Sequence, residues 1–290
     1  MADVIKNNQQ IPALPIDYLV IGHVTADLTQ NGIRLGGTAA FSGLTAHALG
    51  MNTGLITSYS HDLDVSPIET LWSKHKPSQD STTFKNISTG KTRKQYLYQV
   101  AERITIDDVP ILRNPPRILH LGPVANEVDQ DIIELYPQSL KCLTPQGWMR
   151  TVNSEKEVVR CPWEGYIDTL QHADVTVISQ DDVEMDENII ARMADIASIL
   201  VVTENKRGAR VYWHNDARFF NAPEVKYVDD TGAGDIFAAA FFYRYFFTKD
   251  PWEAGRFAVK LASWSVTRAH LESIPTPKEI STAKNELISH

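Results

Sequence analysis

Asp235 stands in the run Val228-Asp229-Asp230-Thr231-Gly232-Ala233-Gly234-Asp235-Ile236-Phe237, where two closely spaced glycines precede an apolar stretch. Gly232 and Gly234 remove side chains where a ligand can approach the backbone. From Ala238 the chain continues through Ala239, Ala240, Phe241 and Phe242, the make-up of a buried helix. The free N–H groups of Gly232, Ala233 and Gly234 at such a helix start form an anion site, helped by the helix dipole. A carboxylate beside that site is repelled by what the site binds. Asp235 therefore either caps the helix or takes a proton from a hydroxyl that attacks a phosphoryl group.

Other polar residues fall just after apolar runs. Asp17-Tyr18-Leu19-Val20-Ile21-Gly22-His23 reads as a buried first strand, and Asp27 follows it by a few residues. There it either accepts hydrogen bonds from substrate hydroxyls or shapes a turn. Gly36-Gly37 permits a close backbone approach, a hinge or a tight turn. After the strand at 140–143 come Gln146, Trp148 and Arg150, two polar site candidates and a candidate wall. After the strand at 175–178 comes Ser179-Gln180-Asp181-Asp182, an acidic pair that either orders water around a divalent cation or caps a helix. The strand at 198–203 leads into Thr203, Glu204 and Gly208.

These residues need elements to carry them. Apolar strands alternate with helical stretches for most of the length, which predicts an α/β fold with a mainly parallel sheet and helices on both faces. Ligands in such sheets bind beyond the carboxyl ends of the strands. Polar helical stretches are expected near 66–76 and 130–136, and helices at 251–268 and from Pro277 onward. Residues 81–85 and 92–100 alternate polar and apolar around Ser88-Thr89-Gly90, a β-hairpin carrying Lys91, Arg93, Lys94 and Arg103. A hairpin interrupting a βα alternation predicts a flap over the site.

The bulk properties narrow the function. The chain has 290 residues, 43% of them hydrophobic, enough for one large α/β domain. A formal net charge of −8 argues against a nucleic-acid binder. No run reaches the roughly 18–20 apolar residues of a membrane helix. Cys142 and Cys161 form no disulfide framework or metal spacing, which suits reduced thiols in the cytoplasm. Residues 1–15 are polar, lack the apolar core of a secretory signal, and are expected to be a flexible leader before a domain at 16–290.

Here the residues carry a resemblance. Asp230-Thr231-Gly232-Ala233-Gly234-Asp235 followed by a helix resembles the C-terminal signature of the ribokinase-like, or PfkB, carbohydrate kinases. Gly36-Gly37 is similar to the family's N-terminal glycine pair, and Asp27 to its substrate-binding aspartate. Ser265-Val266-Thr267-Arg268 with Ile274-Pro275 resembles its tail segment. Gly22-His23-Val24-x-x-Asp27 and Gln146-Gly147-Trp148-x-Arg150 look most like the inositol kinase branch.

The resemblance implies ATP-dependent, Mg²⁺-assisted phosphoryl transfer to a hydroxyl of a small sugar or cyclitol. Asp235 is then the base, and the Gly232, Ala233 and Gly234 N–H groups hold the transferring phosphoryl. Asp27, Gly36, Gly37, Gln146 and Arg150 bind the acceptor. Ser179, Thr203, Glu204, Gly208, Gly234 and Val259 line the ATP site, and Asp182 acts on Mg²⁺ through water. Asp229 is a candidate for a monovalent cation site. Phe41 and Val259 stand where ribokinases carry asparagines, which points away from ribose. The short span from Asp27 to Gly36 implies a lid made of the 81–103 hairpin alone, which favours a monomer over a homodimer. A nucleoside kinase on the same fold, and a catalytically idle nucleotide- or polyol-binding relative, are the alternatives.

Overall fold

A computed structural model describes residues 14–89 and 92–288. Most of the expected leader (1–13), residues 90 and 91 of the expected hairpin, and residues 289–290 lie outside that range. In chain order the strands are β1 (Tyr18–Ile21), β2 (Thr25–Thr29), β3 (Gly32–Gly36), β4 (Thr53–Tyr59), β5 (Trp72–Pro77), β6 (Thr82–Thr89), β7 (Thr92–Gln99), β8 (Ile118–Leu121), β9 (Leu140–Leu143), β10 (Arg150–Val152), β11 (Val158–Arg160), β12 (Val175–Ser179), β13 (Ile199–Thr203), β14 (Gly208–Trp213) and β15 (Asp216–Asn221). The helices are α1 (Thr38–Ala48), α2 (Tyr166–His172), α3 (Glu187–Ile196), α4 (Ala233–Thr248), α5 (Pro251–Ser265) and α6 (Pro277–Ile288).

β1 shows why the sheet is central. Its four residues are all apolar and all buried. Tyr18 and Val20 join the core that contains α4 and α5, whereas Leu19 and Ile21 join the core that contains Leu170 of α2 and Ile190 of α3. Successive strand side chains point to opposite faces, so an unbroken apolar run fits only a strand covered on both sides. Strands β12 and β13 divide their residues between the same two cores. The nine-stranded sheet runs β15-β14-β13-β12-β9-β8-β1-β4-β5. It is parallel from β5 through β13, and β14 and β15 add an antiparallel edge. The expected α/β architecture is therefore present.

Helix ends follow their capping residues. Asp250 accepts from Trp252 N at 2.8 Å and Glu253 N at 3.1 Å, with Pro251 opening α5. Gly50, at φ +92°, follows the end of α1 as a left-handed stop. None of the described helices is long and apolar enough to cross a membrane.

Four readings change. The 66–76 stretch is a one-turn helix at Ser66–Ile68 followed by edge strand β5. Its Lys74, His75 and Lys76 polarise an exposed edge, a pattern that blunts strand pairing and imitates a polar helix. Residues 130–136 yield only a 3₁₀ segment, Gln130–Glu134, and α5 ends at Ser265 instead of running to 268. The lid is also larger than a single hairpin. It is a four-stranded sheet, β3-β2-β6-β7, in which residues 25–36 fold as a hairpin with β2 parallel to β6. Two turn residues, with Gly32 at φ +109°, suffice to reverse the chain between β2 and β3. With four strands in the lid, the reason for expecting a monomer falls away.

Candidate active site

Asp235 lies in the first turn of α4, and Gly232 precedes that helix in the left-handed conformation (φ +78°). A Cβ on Gly232 would come within 2.2 Å of the Phe41 ring. Phe41 therefore packs over the turn and sets how close the loop comes to α1. A Cβ on Gly234 would meet nothing within 4 Å. The space beside that backbone is open, as an anion site at a helix start requires.

The Asp235 residue keeps partial solvent access at the mouth of the site, but its carboxyl is enclosed by protein. Burial pushes its pKa up to about 6; a hydrogen bond from Thr38 and the charge of Arg150 oppose that rise, and Asp27 and Asp182 add to it. Thr38 opens α1, and Ser42 one turn later donates to the Asp235 carbonyl at 3.2 Å. Asp235 is held by α1, not merely by its own helix.

Of the glycine pair, Gly36 proves to be a seat for Asp27. A Cβ on Gly36 would lie 2.3 Å from Asp27 Oδ2, and one on Gly37 would lie 2.5 Å from the His23 carbonyl. Asp27 projects from lid strand β2, where Thr25 Oγ1 donates to its Oδ1 at 2.8 Å. Gln146 Nε2 donates to Asp182 Oδ1 at 2.8 Å, and Arg150 Nη2 lies 3.8 Å from the same oxygen. Arg150 Nη1 also donates to Gln95 Oε1 of lid strand β7 at 3.1 Å. Gln146, Arg150 and Asp182 thus form one network reaching from the sheet edge to the lid, and the charges of Arg150, Asp182 and Asp27 all act on Asp235.

The residues expected to serve the donor make contacts within the chain. Ser179 Oγ accepts from Asp181 N, and Ser179 N donates to Asp182 Oδ2 at 2.8 Å, a capping box. With Gln146 and Ser179 both on its oxygens, Asp182 does not fit a direct metal ligand. No group of three or more His, Cys, Asp or Glu able to hold a metal occurs among the described residues. Thr203 Oγ1 donates to the Ile178 carbonyl at 3.3 Å. Glu204 is buried and ion-paired with Arg207 at 2.7 Å and with Arg210. Gly208, at φ +121°, lets β14 pass the Phe220 carbonyl, which a Cβ would meet at 1.9 Å. Val259 is packed in the core and brings no polar group to the site. Asp229 braces the loop: Oδ1 accepts from Thr231 N at 3.0 Å and Thr231 Oγ1 at 2.7 Å, and Oδ2 accepts from His270 N at 3.0 Å.

Trp148 is core, stacked on Trp163 with its Nε1 donating to the Val128 carbonyl at 2.8 Å. Two of the expected lid cations, Lys94 and Arg103, are structural. Lys94 pairs with Glu157 at 3.0 Å, and Arg103 pairs with Asp129. Sequence reasoning assigned no role to the Thr38 hydroxyl, Gln95 or His270. All three act through contacts across distant chain segments, which no local pattern announces.

Against known proteins, residues 165–278 match the pfkB family carbohydrate kinase model. A probable fructokinase-5 of Arabidopsis thaliana is 27% identical over 134 residues, 46% of this chain and 40% of that relative. The chain thus spans about two fifths of the length of that curated relative. Among solved structures, a pyrophosphate-dependent kinase in the ribokinase family, complexed with a pyrophosphate analog and myo-inositol, superposes with a TM-score of 0.76 at 21% identity, covering 92% of this chain and 99% of that one. Arabidopsis thaliana ribokinase complexed with ribose and ATP gives a TM-score of 0.71 at 17% identity, covering 93% and 99%. The matched segment includes the Gly232–Asp235 helix start, and the chain as a whole has the ribokinase-like α/β fold of those solved structures.

Proposed function

We propose that the protein transfers a phosphoryl group from ATP to a hydroxyl of a small sugar or cyclitol, in the cytoplasm. The observation that carries this reading is the Asp235 carboxyl, buried, raised to about 6 and set beside the open backbone of Gly234. A carboxylate with a pKa near that value is largely ionised at neutral pH yet basic enough to accept a hydroxyl proton. Asp27 holds acceptor hydroxyls from the lid side, while Arg150 screens the crowded carboxylates. The N–H groups of Gly232, Ala233 and Gly234 take the charge that develops on the transferring oxygens. Mg²⁺ bound to the donor phosphates would supply charge neutralisation there, with Asp182 reaching it only through water. The unpaired Cys142 and Cys161 suit a cytoplasmic setting.

One observation favours a second donor, pyrophosphate. The polar side chains Ser179, Thr203 and Glu204, expected at the nucleotide, are committed to bonds within the chain. A site whose remaining hydrogen-bond donors address phosphate alone has no need of a nucleoside on the phosphate donor. The test is a matrix of ATP and pyrophosphate, each with Mg²⁺, against D-fructose, D-ribose, myo-inositol and adenosine, read as phosphorylated product. Turnover of fructose or myo-inositol with ATP supports the reading, and turnover with pyrophosphate alone changes the donor. Turnover of adenosine alone makes it a nucleoside kinase. No product with any pair, despite measurable ATP binding, leaves a binding protein.

A further inference from the structure

Two unusual costs meet at His270. It is a non-glycine residue at φ +53°, in the left-handed region. Its Nε2 is buried with no hydrogen-bond partner, a condition rare for buried polar atoms. That nitrogen faces Asp27 Oδ2 at 3.8 Å, and both side chains are nearly closed to solvent, at 10% and 14% exposure. An approach of about 1 Å would turn the contact into a hydrogen bond. Asp27 belongs to lid strand β2, whereas His270 belongs to the body, after α5.

His270 is also joined to the anion-site loop. Its backbone N–H donates to Asp229, whose other oxygen pins Thr231 immediately before Gly232. Its ring lies 5.5 Å from that of Phe41, the ring that covers Gly232. Charge gives a reason for the arrangement. Asp27, Asp182 and Asp235 crowd one site, and Arg150 stands nearest Asp182. An imidazole N–H opposite Asp27 would give that carboxylate a polar partner of its own.

We propose that His270 is the positioning residue for Asp27, tying the acceptor-binding strand of the lid to the loop that holds the phosphoryl group. The kinetic part of this inference rests on the kinase reading above; the geometric part does not. Closure of the lid then sets acceptor and anion site in register, so His270 acts on acceptor binding through Asp27.

The backbone supplies a clean variant. At positive φ, His270→Gly removes the ring without a conformational penalty, and His270→Asn keeps a donor in a residue that tolerates this region. With the full chain and whichever of D-fructose, D-ribose or myo-inositol turns over fastest, His270→Gly is expected to raise the acceptor KM about tenfold, roughly the 1.4 kcal/mol of one order of magnitude. The donor KM should stay within twofold and kcat should fall less than KM rises, with partial recovery in His270→Asn. A KM for His270→Gly within twofold of wild type overturns the inference while leaving the kinase reading intact. If no acceptor is turned over at all, the kinase reading fails, and imidazole ¹⁵N spectra of the unliganded chain still decide the geometry. A shift of the His270 Nε2 resonance in Asp27→Ala supports the contact, and unchanged resonances overturn it.

Discussion

Asp235→Asn separates what the carboxylate costs from what it does. In the folded chain Asp235 has its pKa raised from 3.8 to about 6, first of all by burial. That gap of about two units corresponds to roughly 3 kcal/mol at 1.36 kcal/mol per unit. The sign follows from proton binding. Between those two values the folded state holds the proton more tightly than the unfolded state, so stability falls as pH rises from about 4 through about 6 and is flat above. Asparagine carries no charge to desolvate. Asp235→Asn is therefore expected to be more stable than wild type by about 3 kcal/mol at pH 8, with the difference shrinking towards zero near pH 4. In a domain of this size that is a rise in Tm on the order of 5 °C at the higher pH. Loss of the base should lower kcat by about 10²–10⁴-fold, and the wild-type rate should climb with pH to a plateau above about 6. Urea unfolding at several pH values, paired with product assays, measures both effects. A variant that keeps kcat within tenfold of wild type would remove Asp235 from the base role. A stability difference that does not change with pH would refute the burial argument.

Three further outcomes follow from the same geometry. Gly234→Ala places a methyl in open space, so folding should be unharmed and Tm equal or slightly higher, while phosphoryl transfer falls at least tenfold because the methyl enters the anion site; thermal melts with kinetics check both. Gly232→Ala drives a Cβ to 2.2 Å from Phe41 at a positive φ, so it should lose about 2–4 kcal/mol of stability in urea titrations, the sum of left-handed strain and overpacking. Arg150→Met removes a charge that lowers the Asp235 pKa, so the rising limb of the pH–rate profile should move to higher pH; an unmoved limb would show that Arg150 is not coupled to the base.

How much of this was legible in the sequence depended on the distance over which each cause acts. The sheet was readable because β1, β12 and β13 are apolar runs whose alternate residues feed two cores, a property of the segment itself. The start of α4 was readable because Gly232, Gly234 and Asp235 sit within one turn. The lid was underestimated because β2 and β3 are five residues each and their polar pattern resembles a loop until β6 supplies a partner. β5 was misread because charges that protect an exposed edge have the same composition as a solvated helix.

For the residues expected on the donor side, the deciding contacts come from neighbouring segments. Glu204 has the right type and position for a ligand, but its fate was decided by Arg207 and Arg210, one within its own turn and one on the next strand. Spacing shows that a carboxylate reaches the sheet edge; it does not show whether another side chain has already claimed it. The reverse holds for Asp27, whose flanking glycine Gly36 leaves room for its carboxylate and whose second oxygen faces an imidazole 3.8 Å away, 243 positions along the chain. A carboxylate that the fold leaves room for is available to a substrate, and one that the fold has saturated is not. By that criterion Asp27 is open to a ligand, whereas Glu204 is held by Arg207 and Arg210.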